Sequence, residues 1–241
     1  MLSKGAYEPS YSNQEQKSNE MIVITGASSG LGAQLAAQYD ADGKATFLTG
    51  RSQDKLNAVA KGLSNRSQQL TCDLTSYPSV SRLFDALDDS PEMIIHCAGS
   101  GYFGLLGDQQ PEQISQLIEN NVTSAITVLR ESVIRYQDKP INFVMVMSTA
   151  AQQPKAQEST YCAVKWAVKG LVESVRLELK GKPMNIIAVY PGGMATEFWH
   201  TSGKPLDTSS FMTVEDAATM MREALSSAGN GYVSDITINR R

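Results

Sequence analysis

Histidine, cysteine and long apolar runs are all scarce in this chain, and each scarcity narrows what it can do. The two histidines, His96 and His200, have no partner at metal-ligand spacing. Each reads as structural or surface, so a Ser/His/Asp hydrolase has little to start from. The three cysteines, Cys72, Cys97 and Cys162, form no CxxC or Cys/His pattern. That excludes a disulfide framework, suggests no metal site, and fits a reducing cytoplasm. No apolar run approaches the roughly 18 residues needed to span a bilayer, which leads us to expect a soluble protein. Lys and Arg total 21 against 25 Asp and Glu, for a formal net charge of -4. The basic residues are scattered rather than clustered, so neither nucleic acid nor an anionic membrane is expected as a partner.

What is present suffices for one sizeable core: 241 residues, 41% of them hydrophobic. Residues 1–20 are mostly polar and lack the basic start and apolar centre of a signal peptide, so they read as a flexible extension. Residues 21–241 read as a single α/β domain, with no repeat or linker interrupting it. Short apolar runs predict strands near 21–25, 45–49, 68–72, 92–97, 141–147, 184–190 and 233–238. Between them, helices are expected near 30–41, 52–62, 76–88, 111–137 (bent or broken), 157–180 and 213–227. Ser52, Pro111, and Thr213 with Asp216 supply helix-start signals. Strands such as INFVMVM and NIIAVY are apolar throughout, as expected where helices cover both faces of a sheet. The pattern is a doubly wound, mostly parallel Rossmann-type sheet of about seven strands.

The segment TGASSGLG, Thr25 to Gly32, falls where the first strand hands over to the first helix. Gly26 permits a tight turn, Gly30 lets the backbone approach a pyrophosphate, and Gly32 allows close packing of helix on strand. The helix start offers free N–H groups and a positive dipole end to phosphate, with the Ser28 and Ser29 hydroxyls as further donors. This is a dinucleotide-binding arrangement. An acid at the tip of the second strand would hydrogen-bond a ribose 2′-hydroxyl, but Gly50 stands there and Arg51 follows. A planar guanidinium suits a 2′-phosphate, which favours NADP (NADPH) over NAD.

In STYCAVKWAVKG, Tyr161 and Lys165 stand four residues apart, on one face of a helix. Taken alone the pair is ordinary. Together with the glycine turn it resembles the short-chain dehydrogenase/reductase family, whose T-G-x-x-x-G-x-G and Y-x-x-x-K patterns are matched by Thr25, Gly26, Gly30 and Gly32 and by Tyr161 and Lys165. The family serine lies thirteen residues before the tyrosine, where Ser148 stands, and Asn121 with Val122 matches the family's N-V-like pair. The resemblance runs from Met21 to about Thr196.

It implies an NADP-dependent oxidoreductase acting on a carbonyl or alcohol. Tyr161 would be the general acid/base, Lys165 would hold the nicotinamide ribose, Ser148 would bond the substrate oxygen, and Asn121 would order a water behind Lys165. A ketone or aldehyde receiving hydride develops alkoxide charge and needs such a proton donor. Free phenol has a pKa near 10, and a neighbouring ammonium is expected to lower it. Further cofactor contacts are implied for Leu31, Asp73, Leu74, Ala98, Gly99, Pro191, Gly192 and Thr196. One departure stands out: HCAGS replaces the usual N-A-G triplet, with Cys97 in the asparagine position.

Tyr102, Phe103, Met194, Phe198, Trp199, Phe211 and Met212 lie in loops expected to wall the substrate, the last of these loops a lid over about 193–213. Their apolar character favours an uncharged or amphipathic substrate over a highly charged one. Assembly as a homodimer or homotetramer through the helices carrying Asn121 and Tyr161 is implied by the resemblance. Two alternatives stay open: a cofactor-binding regulatory protein with little turnover, and a lyase or epimerase without net cofactor consumption.

Overall fold

The computed structural model describes residues 21–64, 66–199, 202–203, 207–226 and 231–240. The expected N-terminal extension, His200 and part of the expected lid lie outside these residues. Strands β1 (Met21–Thr25), β2 (Ala45–Gly50), β3 (Ser67–Thr71), β4 (Met93–His96), β5 (Asn142–Val146), β6 (Asn185–Pro191) and β7 (Asp235–Ile238) form one sheet, in the order β3-β2-β1-β4-β5-β6-β7. Every pairing is parallel. The helices are α1 (Gly30–Ala41), α2 (Gln53–Ala60), α3 (Tyr77–Asp85), α4 (Pro111–Ile118), α5 (Ser124–Tyr136), α6 (Ser159–Glu178) and α7 (Val214–Leu225).

The unbroken apolar character of the strands follows from burial on both faces. Alternate residues of β1, β2, β4, β5 and β6 enter two separate cores. Val23, Phe47, Ile94, Phe143 and Ile186 pack with Leu83 of α3, Val128 of α5 and Val172 of α6. On the other face, Ile22, Leu48, Ile95, Val144 and Ile187 pack with Leu35 of α1, Leu56 of α2 and Met221 of α7. A strand with period-two side chains and two dry faces favours apolar residues, and buried polar ones such as Thr25 and His96 are paired with each other.

The expected helix starts are present. The Ser52 hydroxyl accepts from the Lys55 N–H at 3.4 Å, the Thr213 hydroxyl accepts from the Asp216 N–H at 3.0 Å, and α4 begins on Pro111. The helix expected over 111–137 is broken at Glu119–Thr123, a turn of π-helix between α4 and α5. Its centre is Asn121, whose side-chain Nδ2 donates to the Leu117 carbonyl at 2.9 Å and to the Ser100 carbonyl at 3.0 Å. The side chain thus occupies a carbonyl of the helix ladder, a recognised cause of such a bulge.

In this strand order the chain reverses direction of winding between β1 and β4. The carboxyl ends of those two strands therefore border a crevice, where ligands of doubly wound sheets sit.

Candidate active site

A cleft of about 1010 Å³ opens at the carboxyl edge of the sheet. The glycine turn forms one end of it. Gly26 and Gly30 have φ of +69° and +55°, in the left-handed region. A Cβ on Gly26 would lie 2.7 Å from the Ala98 nitrogen, and one on Gly32 would lie 2.5 Å from the Gly26 carbonyl oxygen. Close backbone approach thus requires glycine at both positions, and at Gly26 the conformation requires it as well. Ser29 occupies the N-cap of α1, yet its hydroxyl makes no capping bond, unlike Ser52 and Thr213. The first N–H groups of α1 are left to face the cleft with a positive dipole end, a fit for a pyrophosphate.

Beside this turn, Gly50 ends β2 without a side chain, and the Arg51 guanidinium donates to the Asn120 Oδ1 at 3.3 Å. Asp73, after β3, accepts from the backbone N–H and hydroxyl of Thr75 at 3.0 and 2.7 Å. Those bonds, aided by the charge of Arg51, hold its carboxyl below the usual carboxylate range. Leu31, Leu74, Ala98, Gly99, Pro191, Gly192 and Thr196 also line the cleft, and the Thr196 methyl lies 3.7 Å from where a Gly30 Cβ would be. The residues expected to hold a dinucleotide therefore share one continuous wall, and their shape and donors fit one.

At the other end lie Ser148, Tyr161 and Lys165. Ser148 follows β5 and caps a short 3₁₀ turn, its hydroxyl accepting from the Ala150 N–H at 3.1 Å. Tyr161 and Lys165 project from the first turns of α6 and are only 7% and 6% exposed. The Ser148 hydroxyl stands close enough to the Tyr161 phenol to oppose the rise that burial imposes on it. The Lys165 ammonium lies over the Tyr161 ring, 5.5 Å from its centroid.

Burial sets the charges here. It lowers Lys165 from the usual lysine value to about 8, so the ammonium persists at neutral pH but is lost in mildly alkaline solution. Burial raises the Tyr161 phenol well above its ordinary value, with the neighbouring Ser148 hydroxyl acting in the opposite direction. This corrects the expectation of a lowered phenol pKa. Lys165 faces the ring rather than a solvated hydroxyl, and loss of water outweighs its influence. The phenol is consequently a firmly protonated hydrogen-bond donor.

The expected substrate-wall residues Tyr102, Phe103 and Met212 do not line the cleft, and of the residues expected in catalysis or cofactor binding only Asn121 does not. It lies 2% exposed behind the wall, while its neighbour Asn120 reaches the surface. Its Oδ1 is buried with no partner among the described residues. That oxygen and the Lys165 Nζ lie 2.8 and 3.3 Å from the point a Gly99 Cβ would occupy. Gly99 therefore leaves between them a gap of the size and polarity that suits a water.

Cys97 lines the cleft, with a thiol pushed up to about 12 by burial, which makes it a poor nucleophile. Its neighbour His96 hydrogen-bonds the Thr25 hydroxyl through Nδ1 at 2.9 Å, and burial lowers it to about 3. It is a neutral structural side chain.

Several cleft residues belong to no motif and escape sequence reasoning: Lys55, Asn120, Asn239 and Arg240; Ser100 and Lys155 lie in loops expected to wall the substrate. The expected aromatic wall is present as a connected cluster. Phe103 packs on Tyr161 (5.2 Å between centroids), Phe198 (5.9 Å) and Trp199 (5.3 Å), and Trp199 packs on Phe211 (5.1 Å). The Trp199 indole N–H donates to the Met194 carbonyl at 2.8 Å, pinning this part of the lid.

Comparison with known proteins agrees with this geometry. The family model described as short chain dehydrogenase matches residues 20–207. A short-chain dehydrogenase/reductase from Vibrio parahaemolyticus, known from its crystal structure, is 67% identical, with a TM-score of 0.85 over 91% of this chain and 100% of that one. A short-chain dehydrogenase from Sphingobium yanoikuyae in complex with NADPH is 25% identical, with a TM-score of 0.78 over 89% of this chain and 87% of its own. The NADPH-dependent pterin aldehyde reductase of Arabidopsis thaliana is 29% identical over 183 residues, 73% of this chain and 75% of that protein. With the glycine turn, the parallel sheet and the Ser148, Tyr161 and Lys165 cluster, these likenesses establish that the chain belongs to the short-chain dehydrogenase family of NAD(P)-dependent oxidoreductases.

Proposed function

We propose that the protein is an NADP-dependent oxidoreductase that interconverts a carbonyl and an alcohol, with Tyr161 as general acid and base. The observation that carries this reading is that Ser148, Tyr161 and the buried Lys165, whose ammonium lies over the Tyr161 ring, line the same cleft as the glycine turn. NADPH, when bound, supplies the hydride.

The chain's own groups supply the rest. Ser148 orients the substrate oxygen by hydrogen bonding, and Tyr161 donates its proton to that oxygen as alkoxide charge develops. Lys165 favours the resulting phenolate and holds the cofactor ribose. Asn121, through its buried Oδ1, orders a water from which the proton is restored. The Ser28 and Ser29 hydroxyls and the N–H groups from Gly30 and Leu31 hold the pyrophosphate, while Gly26 and Gly99 leave room for it and for the ribose. Asp73, Leu74 and Ala98 flank the adenosine half, and Pro191, Gly192 and Thr196 the nicotinamide half.

Arg51 is assigned to the 2′-phosphate. Its guanidinium is exposed at the cleft rim and makes no ion pair with a carboxylate among the described residues, and Gly50 puts no acid at the tip of β2, the nearby Asp73 being bonded to Thr75. The NADPH complex of the Sphingobium relative and the NADPH dependence of the Arabidopsis one support the same cofactor.

Pairing of protomers through α5 and α6 is supported by exposed apolar side chains: Ile126 and Ile134 on α5, Trp166 and Leu177 on α6. A cytoplasmic setting accords with three free cysteines. Among the described residues no helix is long and apolar enough to cross a membrane.

The test is NADPH consumption with a panel of aldehydes and ketones as a function of pH. Reduction needs the phenol protonated and Lys165 charged. Lys165, lowered to about 8, carries its charge below that pH and loses it above. The expected profile of kcat/KM is flat on the acid side and falls about tenfold per pH unit above about pH 8. A profile flat to about pH 10 would show that the Lys165 charge is not used. Tight NADPH binding without consumption on any carbonyl would refute the reading.

A further inference from the structure

Cations are distributed unevenly around the cleft, and the distribution points to a feature of the substrate. Arg51 and Lys55 stand at the adenosine end, where Lys55 pairs with Glu197 at 3.7 Å. Lys165 lies beneath Tyr161. Two other cations, Lys155 and Arg240, line the cleft with no carboxylate within ion-pair distance among the described residues.

Lys155 is held close to the reacting centre. Its ammonium donates to the Thr149 hydroxyl at 3.1 Å, and Thr149 directly follows Ser148. The loop carrying Lys155 is tied to β7 where Gln152 Nε2 donates to the Thr237 hydroxyl at 2.9 Å. Three residues beyond Thr237, the Arg240 guanidinium lies over the Phe211 ring, 4.8 Å from its centroid. One wall of the cleft thus carries two positive charges. Glu158 and Asp207 also line the cleft. Asp207 accepts from the Ser209 N–H at 2.9 Å, and Glu158, which forms no ion pair with Lys155 among the described residues, acts electrostatically on Tyr161. Phe198 and Trp199 of the aromatic cluster also line the cleft, and Trp199 packs on the Phe211 ring that Arg240 covers.

A half-buried ammonium, pinned by one neutral hydroxyl and lacking a counter-ion among the described residues, retains donor capacity and attraction for an anion. We infer that the substrate is an amphipathic oxo acid, or the corresponding hydroxy acid, whose carboxylate is bound by Lys155. The carbonyl sits at Ser148 and Tyr161, the carbon skeleton lies against Phe198 and Trp199, which line the cleft, and Arg240 adds to the positive field. The inference rests on the oxidoreductase reading above and names its substrate class. In the reduction, the carbonyl carbon accepts hydride from NADPH and the oxygen accepts the Tyr161 proton, giving a hydroxy acid and NADP⁺. Lys155 takes no part in these bond changes; it is a specificity-determining residue.

The experiment compares benzoylformate and benzoylpropionate with their methyl esters and with acetophenone, at saturating NADPH, for the wild type, Lys155→Gln and Lys155→Arg. At least one acid is expected to exceed its ester in kcat/KM by about 30-fold, equivalent to about 2 kcal/mol at 1.4 kcal/mol per tenfold. Lys155→Gln should erase that ratio chiefly through KM, Lys155→Arg should restore most of it, and added salt should shrink it. Where turnover is slow, quenching of bound-NADPH fluorescence by each compound reads the same ratio. Esters and acetophenone consumed as well as the acids would overturn the inference while leaving the oxidoreductase reading intact. A ratio untouched in Lys155→Gln would remove the role given to Lys155. Failure of NADPH to bind at all would overturn the oxidoreductase reading, and this inference with it.

Discussion

Tyr161→Phe is expected to lower kcat by about 10³-fold while leaving NADPH affinity within about twofold of wild type. The substitution removes one hydroxyl and keeps the ring, which packs edge-on against Phe103 at 5.2 Å and Phe198 at 5.8 Å. The fold should therefore survive, and the Ser148 hydroxyl, which lines the cleft, can turn to solvent. What is lost is the proton donor at the substrate oxygen. Its titratable neighbours among the described residues are not placed to replace it. Lys165 is committed beneath the ring, His96 is buried and neutral, and the Cys97 thiol is pushed up to about 12. Steady-state kinetics beside a fluorescence titration of NADPH check the two halves of the prediction, and a variant within tenfold of wild-type kcat would remove Tyr161 from the role of acid.

The second large effect is expected at the opposite end of the cleft. Gly26→Ala places a Cβ at φ +69° and 2.7 to 2.9 Å from the backbone of Cys97 and Ala98. Left-handed conformation costs about 1–2 kcal/mol for a residue with a Cβ, and forced repacking about 1–3 kcal/mol more. Both neighbours of the intruding atom are backbone, so the strain is relieved only by moving the turn away from the end of β4. That displaces the N–H groups of α1 from the pyrophosphate. The expected outcome is at least about a 100-fold loss of NADPH affinity, about 3 kcal/mol, with a clear fall in Tm. Calorimetry of the variant with and without NADPH measures both. Wild-type affinity in Gly26→Ala would mean that the turn does not set the cofactor's position.

Much of this architecture is legible in the residues themselves. Strands that are apolar throughout announce a sheet covered on both faces, and the two cores on either side of β1, β4, β5 and β6 are the reason. TGASSGLG announces its own turn, because close backbone approach and positive φ leave few residue types other than glycine. The Tyr161 and Lys165 pair becomes informative only beside Ser148 and that turn, since any one of these features occurs on ordinary surfaces.

Other features depend on contacts made far along the chain. Asn120 meets Arg51 across 69 residues, and Gln152 meets Thr237 across 85, so neither Asn120 nor Arg240 has a local pattern to betray it. The π turn at Glu119–Thr123 arises from the Asn121 side chain reaching Ser100. Sequence periodicity predicts only that the helix there is bent or broken. The expected lowering of the Tyr161 pKa fails for a related reason: four-residue spacing establishes that two side chains share a helix face, but not that both are removed from water.

The measurement that tests the central claim most directly is a fluorescence titration of the purified protein with NADPH and with NADH, for wild type and Arg51→Ala. The predicted result is tight NADPH binding, weaker NADH binding, and a loss in Arg51→Ala of about 10- to 100-fold for NADPH alone, as expected when a charge-assisted phosphate contact is removed. Binding of neither cofactor by the wild type would contradict the account. Equal weakening of both in Arg51→Ala would contradict the assignment of the phosphorylated cofactor.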